Sequence, residues 1–323
     1  MKYGKAIWFG LAVSAFFVWI AVRSIDAEAL RLALIGINYW AVVGCGVAVA
    51  MGMVCRSIRW RVIANAPSAE HLAFSRSTNI GVLANMIFPA RAGEVIRILT
   101  LIKISTCKLP RALASAMIDR FVDVFVLLLS GLLVYLYIPT AVILERWLLA
   151  LGAILFIGIA AIGIVFWRKE MFRKLGRVWL QRILRRWALK PEEFLSEFFR
   201  ELKMLAHGRL PINLFGVSVV IWFLDYMAVT SILMALHLSL PIEAPLLLWI
   251  FLAASSALPS APGYVGVYQV AAIFALSFYG VEASHAVAVA LVLQATTLLV
   301  AILMAFPILV SKFSKHTSSA RNG

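Results

Sequence analysis

Asn85-Met86-Ile87-Phe88-Pro89-Ala90-Arg91-Ala92-Gly93-Glu94-Val95-Ile96-Arg97 interrupts a long apolar run, and its reading decides the fold. The run extends over 78–102. Inside it stand a helix-breaking Pro-x-x-x-Gly and three ions, Arg91, Glu94 and Arg97. A second interruption, Leu258-Pro259-Ser260-Ala261-Pro262-Gly263-Tyr264, sits in the apolar run 246–279, and Gly266 follows it. It repeats the Pro-x-x-x-Gly spacing between two apolar halves. Irregular backbone inside a span is tolerated only where protein or a wet cavity covers it.

Outward from these breaks the chain is apolar almost throughout. Of its 323 residues 63% are hydrophobic and 14% charged, against about 25% charged in a soluble domain. Such a chain has too little polar surface for a soluble globule and too much apolar surface for disorder. Six stretches have the roughly 20 apolar residues a crossing needs: 6–22, 39–55, 112–137, 147–167, 214–236 and 283–310. The N-terminal run has Lys2 and Lys5 before it and no small-residue cleavage site after it, so it reads as a retained first helix.

The net charge is +15, from 30 Lys+Arg and 15 Asp+Glu. Long apolar runs separate the basic residues, which argues against nucleic acid. Their distribution instead orients the spans. Basic residues flank both ends of 78–102, the segment 168–211 has twelve Lys/Arg against five Glu, and 237–245 has none. Both termini are therefore expected in the cytoplasm, with six full crossings. The two broken stretches then enter and leave on one side as re-entrant hairpins; two short kinked spans are the alternative.

The expected fold is an all-α polytopic membrane protein, a single membrane domain over 1–323. Repeat one covers about 1–137 and repeat two about 147–310. Each half crosses three times, so the repeats have inverted topology, the construction of many carriers. The insertion 168–211 is basic and amphipathic. Phe172, Leu175, Trp179, Ile183 and Trp187 mark a helix suited to anionic lipid. Pro191-Glu192-Glu193 opens a second, with Leu195, Phe198, Phe199, Leu202 and Leu205 on one face and His207-Gly208 as its stop. Docking on the bundle is the other reading of this segment.

Ionisable residues in apolar runs are costly and need a partner or a wet cavity. Glu94 and Arg97, three apart, share a helix face if a half-helix begins near Gly93. Its N-terminus would offer N–H groups to an anion. Asp119 and Asp123 face one way with Arg120 beside them, a trio able to pair with Arg91 and Arg97 and leave a net positive cavity. Asp225 stands alone beside Tyr226 and is expected to take up a proton or pair with an arginine. Arginine favours two-point capture of phosphate or carboxylate. Ser255, Ser256 and Ser260 suit helix packing or a headgroup contact. Cys45, Cys55 and Cys107 are too scattered for disulfides or a metal cage, and the histidines show no metal spacing, so no cofactor and no metal is expected.

Asn85-x-x-x-Pro89-x-Arg91-x-Gly93-Glu94-x-x-Arg97, then Asp119-Arg120-x-x-Asp123, then Pro259-x-x-Pro262-Gly263-x-x-Gly266 resemble the lysylphosphatidylglycerol synthase transmembrane family, often called flippase-like. The resemblance covers almost the whole chain and implies work on lipid-linked substrates. Members include the flippase half of aminoacyl-phosphatidylglycerol synthases and relatives linked to hopanoid handling and archaeal lipid-linked glycan assembly. The synthases carry a soluble catalytic domain after the membrane part, whereas this sequence stops at Gly323, so a lysyltransferase activity is not expected. Gln269 stands where many relatives have an acid, which argues against proton coupling at that point.

The expectation is a bacterial inner-membrane flippase or transporter for an anionic lipid, a phospholipid or a polyprenyl phosphate. Arg91, Arg97 and Arg120, with Asn85, Tyr264 and Gln269, would bind the headgroup. Glu94, Asp119, Asp123 and Asp225 would orient the arginines or carry protons. Pro89, Gly93, Pro259, Pro262, Gly263 and Gly266 would break the hairpins. No catalytic residue is assigned, no nucleotide-binding motif is present, and a lipid-modifying enzyme is compatible as a partner. A membrane-embedded transferase on a lipid carrier is the competing class, with Asp119 and Asp123 on a metal or Glu94 as base. A scaffold acting through the basic insertion is a third.

Overall fold

The computed structural model describes residues 16, 19, 27–88, 91–137, 191–205, 210–256 and 261–319. Ten α-helices and no strand occur among the described residues. They are α1 Ala27–Ile35, α2 Tyr39–Ile63, α3 His71–Ile87, α4 Ala92–Ile104, α5 Leu109–Tyr137, α6 Pro191–Leu205, α7 Leu210–Ala235, α8 Ala244–Ser255, α9 Val267–Ser277 and α10 Ala283–Ser319. The expected span 6–22 apart from Phe16 and Trp19, the span 147–167, the first amphipathic helix of the insertion, His207-Gly208, Pro89, Pro259 and Ser260 lie outside the described residues.

Among the described residues three helices are long and apolar enough to cross a membrane: Tyr39–Ile63, Ile212–Ala235 within α7 and Ala283–Phe306 within α10. They carry the expected second, fifth and sixth spans, and α5 covers the third. One boundary differs in a way that matters. The second span was expected to end at Cys55, but α2 continues to Ile63, so Arg56, Arg59 and Arg61 are helical rather than loop residues. Asn38 starts this helix. Its Oδ1 accepts from the N–H groups of Trp40, at 3.1 Å, and Ala41, at 3.4 Å, satisfying donors that a helix N-terminus leaves open.

Both interrupted runs are split as the prolines and glycines require. The first becomes α3, of 17 residues, and α4, of 13. The second becomes α8, of 12 residues, and α9, of 11, with the short turn Pro262–Tyr264 before α9. At about 1.5 Å per residue these half-helices are roughly 16–26 Å long, short of a hydrocarbon core of about 30 Å.

The chain divides into two compact units. The first takes its residues from 1–57, 72–101 and 219–323, the second from 58–71 and 102–218. Both broken runs belong to the first, apart from the ends of α3 and α4. Its core joins Cys45 and Ala48 of α2 to Ala228 and Ile232 of α7, Leu248 of α8, Ala272 and Ala275 of α9, and Ala286 and Ala290 of α10. Alanines at these contacts let helix backbones approach closely. The outward faces are apolar too. Trp40 is 84% exposed and Leu303 62%, with Val43, Val47 and Met51 following Trp40 down one side of α2. Water would make such a stripe an aggregation site, whereas lipid is its natural solvent.

In the second unit α6 begins at Pro191, where proline suits the first helical turn. It packs along α5. Phe194 is buried against Ala114, and Phe198 joins Ile63, Ile118 and Leu214. Arg111 Nε reaches Glu197 Oε2 at 3.4 Å. The second helix of the insertion therefore docks on the bundle. Glu201 is 1% exposed, with Arg200 Nη2 3.1 Å from its Oε1. Burial pushes its carboxyl above the usual glutamate range, against the pull of Arg200. Burial also pushes the Cys107 thiol up to about 11, so it stays protonated and unreactive at neutral pH.

The tightest point of the first unit is the crossing of α3 and α4. A Cβ on Gly93 would collide with the Gly81 carbonyl oxygen and the Asn85 side chain, and one on Gly81 would lie 2.7 Å from Arg97 Cβ. The obstacle at Gly93 is backbone, which cannot yield as a side chain tip would. Gly93→Ala is expected to destabilise the protein by about 1–3 kcal/mol or more, the usual range for overpacking. Gly216→Ala, where a Cβ meets nothing within 4 Å, should leave the melting temperature in detergent unchanged. For Glu201 the sign is fixed by its raised value: the docked state holds more protons than the undocked one, so docking weakens as pH rises through the raised range. Hydrogen exchange of 191–205 is expected to speed up with pH beyond the intrinsic base-catalysed rate. That excess should vanish in Glu201→Gln.

Candidate functional site

The ions in apolar helices resolve into separate clusters. In the first unit, Arg56 Nη2 lies 2.6 and 2.8 Å from the two carboxylate oxygens of Asp225. Asp225, expected to titrate or to find an arginine, has found one. Arg97 Nε lies 3.0 Å from Glu94 Oε2, the pairing that their spacing predicts on a helix starting near Gly93.

In the second unit, Arg59 has a fully buried side chain. It donates through Nε to Asp119 Oδ1 at 2.9 Å and through Nη2 to Asp123, and its Nη1 is 3.5 Å from Ser218 Oγ. Arg120 completes the group, with Nη1 2.9 Å from Asp123 Oδ2 and Nη2 3.4 Å from Asp119 Oδ2. Two arginines and two aspartates balance. Where the sequence suggested Arg91 and Arg97 as partners for Asp119 and Asp123, the second unit itself supplies two, Arg120 and the Arg59 that the longer α2 carries. Each carboxylate is held by guanidinium groups. Among the described residues no three His, Cys, Asp or Glu gather as metal ligands.

The breaks are closed by amides. Asn85 Oδ1, near the end of α3, accepts from the Gly93 N–H at 2.8 Å, and Glu94 N–H donates to Arg91 O at 3.1 Å. Asn85 is thus committed to capping α4, and the helix N-terminus expected to greet an anion is partly occupied. At the second break Gln269 Oε1 accepts from Gly266 N–H at 2.7 Å, Gln269 Nε2 donates to Gln294 Oε1 at 2.7 Å, and Gln294 Nε2 donates to Gly263 O at 2.6 Å. Gln269, 5% exposed, is therefore a staple of the turn. Gln294 was missed; a neutral amide in the apolar run 283–310 was its only signal.

The two breaks meet inside the first unit. Arg91 Nη2 is 3.4 Å from Ser256 Oγ, and a Cβ on Gly263 would stand 3.6 Å from the Met86 carbonyl. Tyr264 stacks on Tyr268 with ring centroids 5.0 Å apart and planes at 12°. Tyr268 lies within electrostatic reach of Arg91, Arg56 and Asp225. Arg91 has φ +54° and Tyr264 φ +61°, a left-handed conformation that costs a non-glycine residue roughly 1–2 kcal/mol. Strain of this kind persists where the surroundings impose it and gathers at functional sites. Arg56, Arg59, Arg97 and Arg120 each touch a carboxylate. Arg91 touches none among the described residues, and its buried Nε has no hydrogen-bond partner there.

Broken helices, an ion-bearing apolar interior and lipid-compatible outer faces define an α-helical membrane protein with a polar site at the meeting of two breaks. Residues 7–305 match the family described as Lysylphosphatidylglycerol synthase TM region, and the chain belongs to that family. This places it in a membrane and ties it to lipid-related function. No curated protein and no solved structure matches the chain.

Removing Arg59 would leave Asp119 buried beside a single remaining arginine. Arg59→Met is expected to cost about 3–5 kcal/mol, the usual penalty for breaking a buried ion pair from one side. Removing the exposed Arg31–Glu28 pair should not shift the thermal transition, since surface pairs contribute little.

Proposed function

We propose that this chain is a lipid flippase or transporter of the bacterial inner membrane, moving an anionic amphipathic lipid with its headgroup held where the two breaks meet. The observation that carries this reading is Arg91. It is a cation at a strained break, facing the second break through Ser256, with no carboxylate among the described residues to neutralise it. Transport needs such a group, since a cation already saturated by acids has nothing to offer a passing anion. Arg97 and Arg120 each already pair with a carboxylate, which favours Arg91 over them as the headgroup contact.

The short half-helices support two re-entrant hairpins among six full crossings, with both termini in the cytoplasm. The meeting of the breaks supports inverted repeats with the site at their junction, and alternating access would come from motion of one repeat against the other. The acids are better suited to structure than to catalysis. Asp119 and Asp123 are each bound by two arginines and Glu94 by Arg97, which argues against a transferase.

The test is movement of a fluorescent anionic phospholipid between leaflets of proteoliposomes. Arg91→Ala should lower the rate at least tenfold at unchanged protein content, while Arg31→Ala should leave it unchanged. An Arg91→Ala protein that is folded and as fast as the unaltered chain would sink the proposal.

A further inference from the structure

Three helices of the second unit supply its buried ion network, and the same three supply an apolar layer beside it. Arg59 of α2 reaches Asp119 of α5 at 2.9 Å and Ser218 of α7 at 3.5 Å, and all three are buried. Ile63 and Leu214 stand four residues from Arg59 and Ser218, a rise of about 6 Å, and Ile118 immediately precedes Asp119. Ile63, Ile118 and Leu214 pack together as one cluster. All three steps lead to the same end of these helices, where α2 finishes and α5 and α7 begin. Phe198 of α6 packs on that cluster. It stacks on Phe194 with ring centroids 6.1 Å apart, and Phe194 is buried against Ala114, nearer the start of α5 than Asp119.

We infer that α6 is a lid on this end of the second unit, a device separate from the headgroup site: it is closed while Glu201 is protonated and released when Glu201 ionises, and its release uncovers the Ile63–Ile118–Leu214 layer that separates the Arg59–Asp119 pair from water. Packing and charge oppose each other in it. The apolar contacts of Phe194 and Phe198 favour the closed lid at any pH. Glu201 is 1% exposed; Arg200 lies 3.1 Å from its Oε1, and its Oε2 is buried with no hydrogen-bond partner among the described residues. An ionised carboxylate there keeps a desolvated oxygen that opening would hydrate, whereas a neutral carboxyl gains much less from water. The groups that act on it are Arg200 and Glu197 on α6, Arg111 on α5, and the Cys107 thiol just before α5. Glu70 acts on the same thiol and accepts from the Thr106 N–H at 3.2 Å. α2 and α7 meet Phe198 through the apolar Ile63 and Leu214. Arg200 is shared with Glu197, and Arg111 makes its contact to Glu197 as well, at 3.4 Å. Burial outweighs both cations and holds the carboxyl above the usual glutamate range. The closed lid therefore keeps a proton that the open lid loses, and opening is favoured as pH rises through that range.

The experiment uses the full chain in phosphatidylcholine nanodiscs, with Cys45, Cys55 and Cys107 replaced by alanine and a reporter thiol introduced by Leu214→Cys. A charged, membrane-impermeant thiol reagent reads access to the layer. Its rate is divided by that of Ser196→Cys, at an exposed position of α6, so that thiol ionisation cancels. From about pH 5 to about pH 9, across the raised range, the normalised rate is expected to rise at least tenfold. Glu201→Gln should hold it at the low value throughout. Arg200→Gln, which removes the nearest cation, should enlarge the alkaline rate and leave the acid rate unchanged. Phe198→Ala should raise the rate even at the acid end. Ile63→Cys, on a different helix, should give the same profile as Leu214→Cys and carries the test if that variant does not fold. A reporter rate that stays flat with pH, or a rise that persists in Glu201→Gln, would overturn the inference and leave the flippase reading standing.

Discussion

A helix broken among apolar neighbours leaves backbone donors and acceptors that only the protein can satisfy, and the rest of the structure depends on how this is done. The two breaks solve the problem differently. At the first, one amide, Asn85, reaches across to the Gly93 N–H. The backbones of α3 and α4 meet at Gly81 and Gly93, where only glycine fits. At the second, two amides in series, Gln269 and Gln294, clamp the turn from both sides, binding Gly266 N–H and Gly263 O. The polar groups that sequence alone would give to a substrate are largely spent on making the breaks possible.

The same economy governs the ions. A charge in an apolar stretch is tolerated when paired, and four of the arginines in these helices are paired with acids. Arg59 and Arg120 hold Asp119 and Asp123, Arg56 holds Asp225, and Arg97 holds Glu94. Such pairs add little net stability over apolar packing, but losing one partner is expensive, so they fix helix register. Against this background an uncompensated cation is informative because nothing in the fold asks for it.

Much of this was legible in the sequence. The prolines and glycines marked both breaks, the three-residue spacing of Glu94 and Arg97 announced their pair, and Pro191 marked the start of α6, which runs Pro191–Leu205. What escaped has physical reasons. A span read from hydropathy stops at the first cation, but a helix does not. α2 therefore carries Arg56 and Arg59 inward, and the partners of Asp119, Asp123 and Asp225 were hidden in what looked like a loop. Asn85 and Gln269 were recognisable as polar groups in an apolar run. Their partners, however, are backbone atoms whose availability depends on the turn itself. Gln294 carries no charge and sits in an otherwise apolar run, so hydropathy passes over it.

Arg91 brings these strands together. Its backbone is left-handed, and its side chain has neither a carboxylate nor, at Nε, a hydrogen-bond partner among the described residues. A glycine there would remove the backbone cost, as Gly263 and Gly266 do at the second break, with φ +65° and +88°. A neutral side chain would remove the electrostatic cost. Folding alone would therefore favour almost any other residue at this position. The capping of α4 does not call for a side chain here, since Asn85 and the Arg91 carbonyl provide it. A residue that costs the fold twice, at the place where two broken helices meet, is best explained by something outside the fold that its charge attracts.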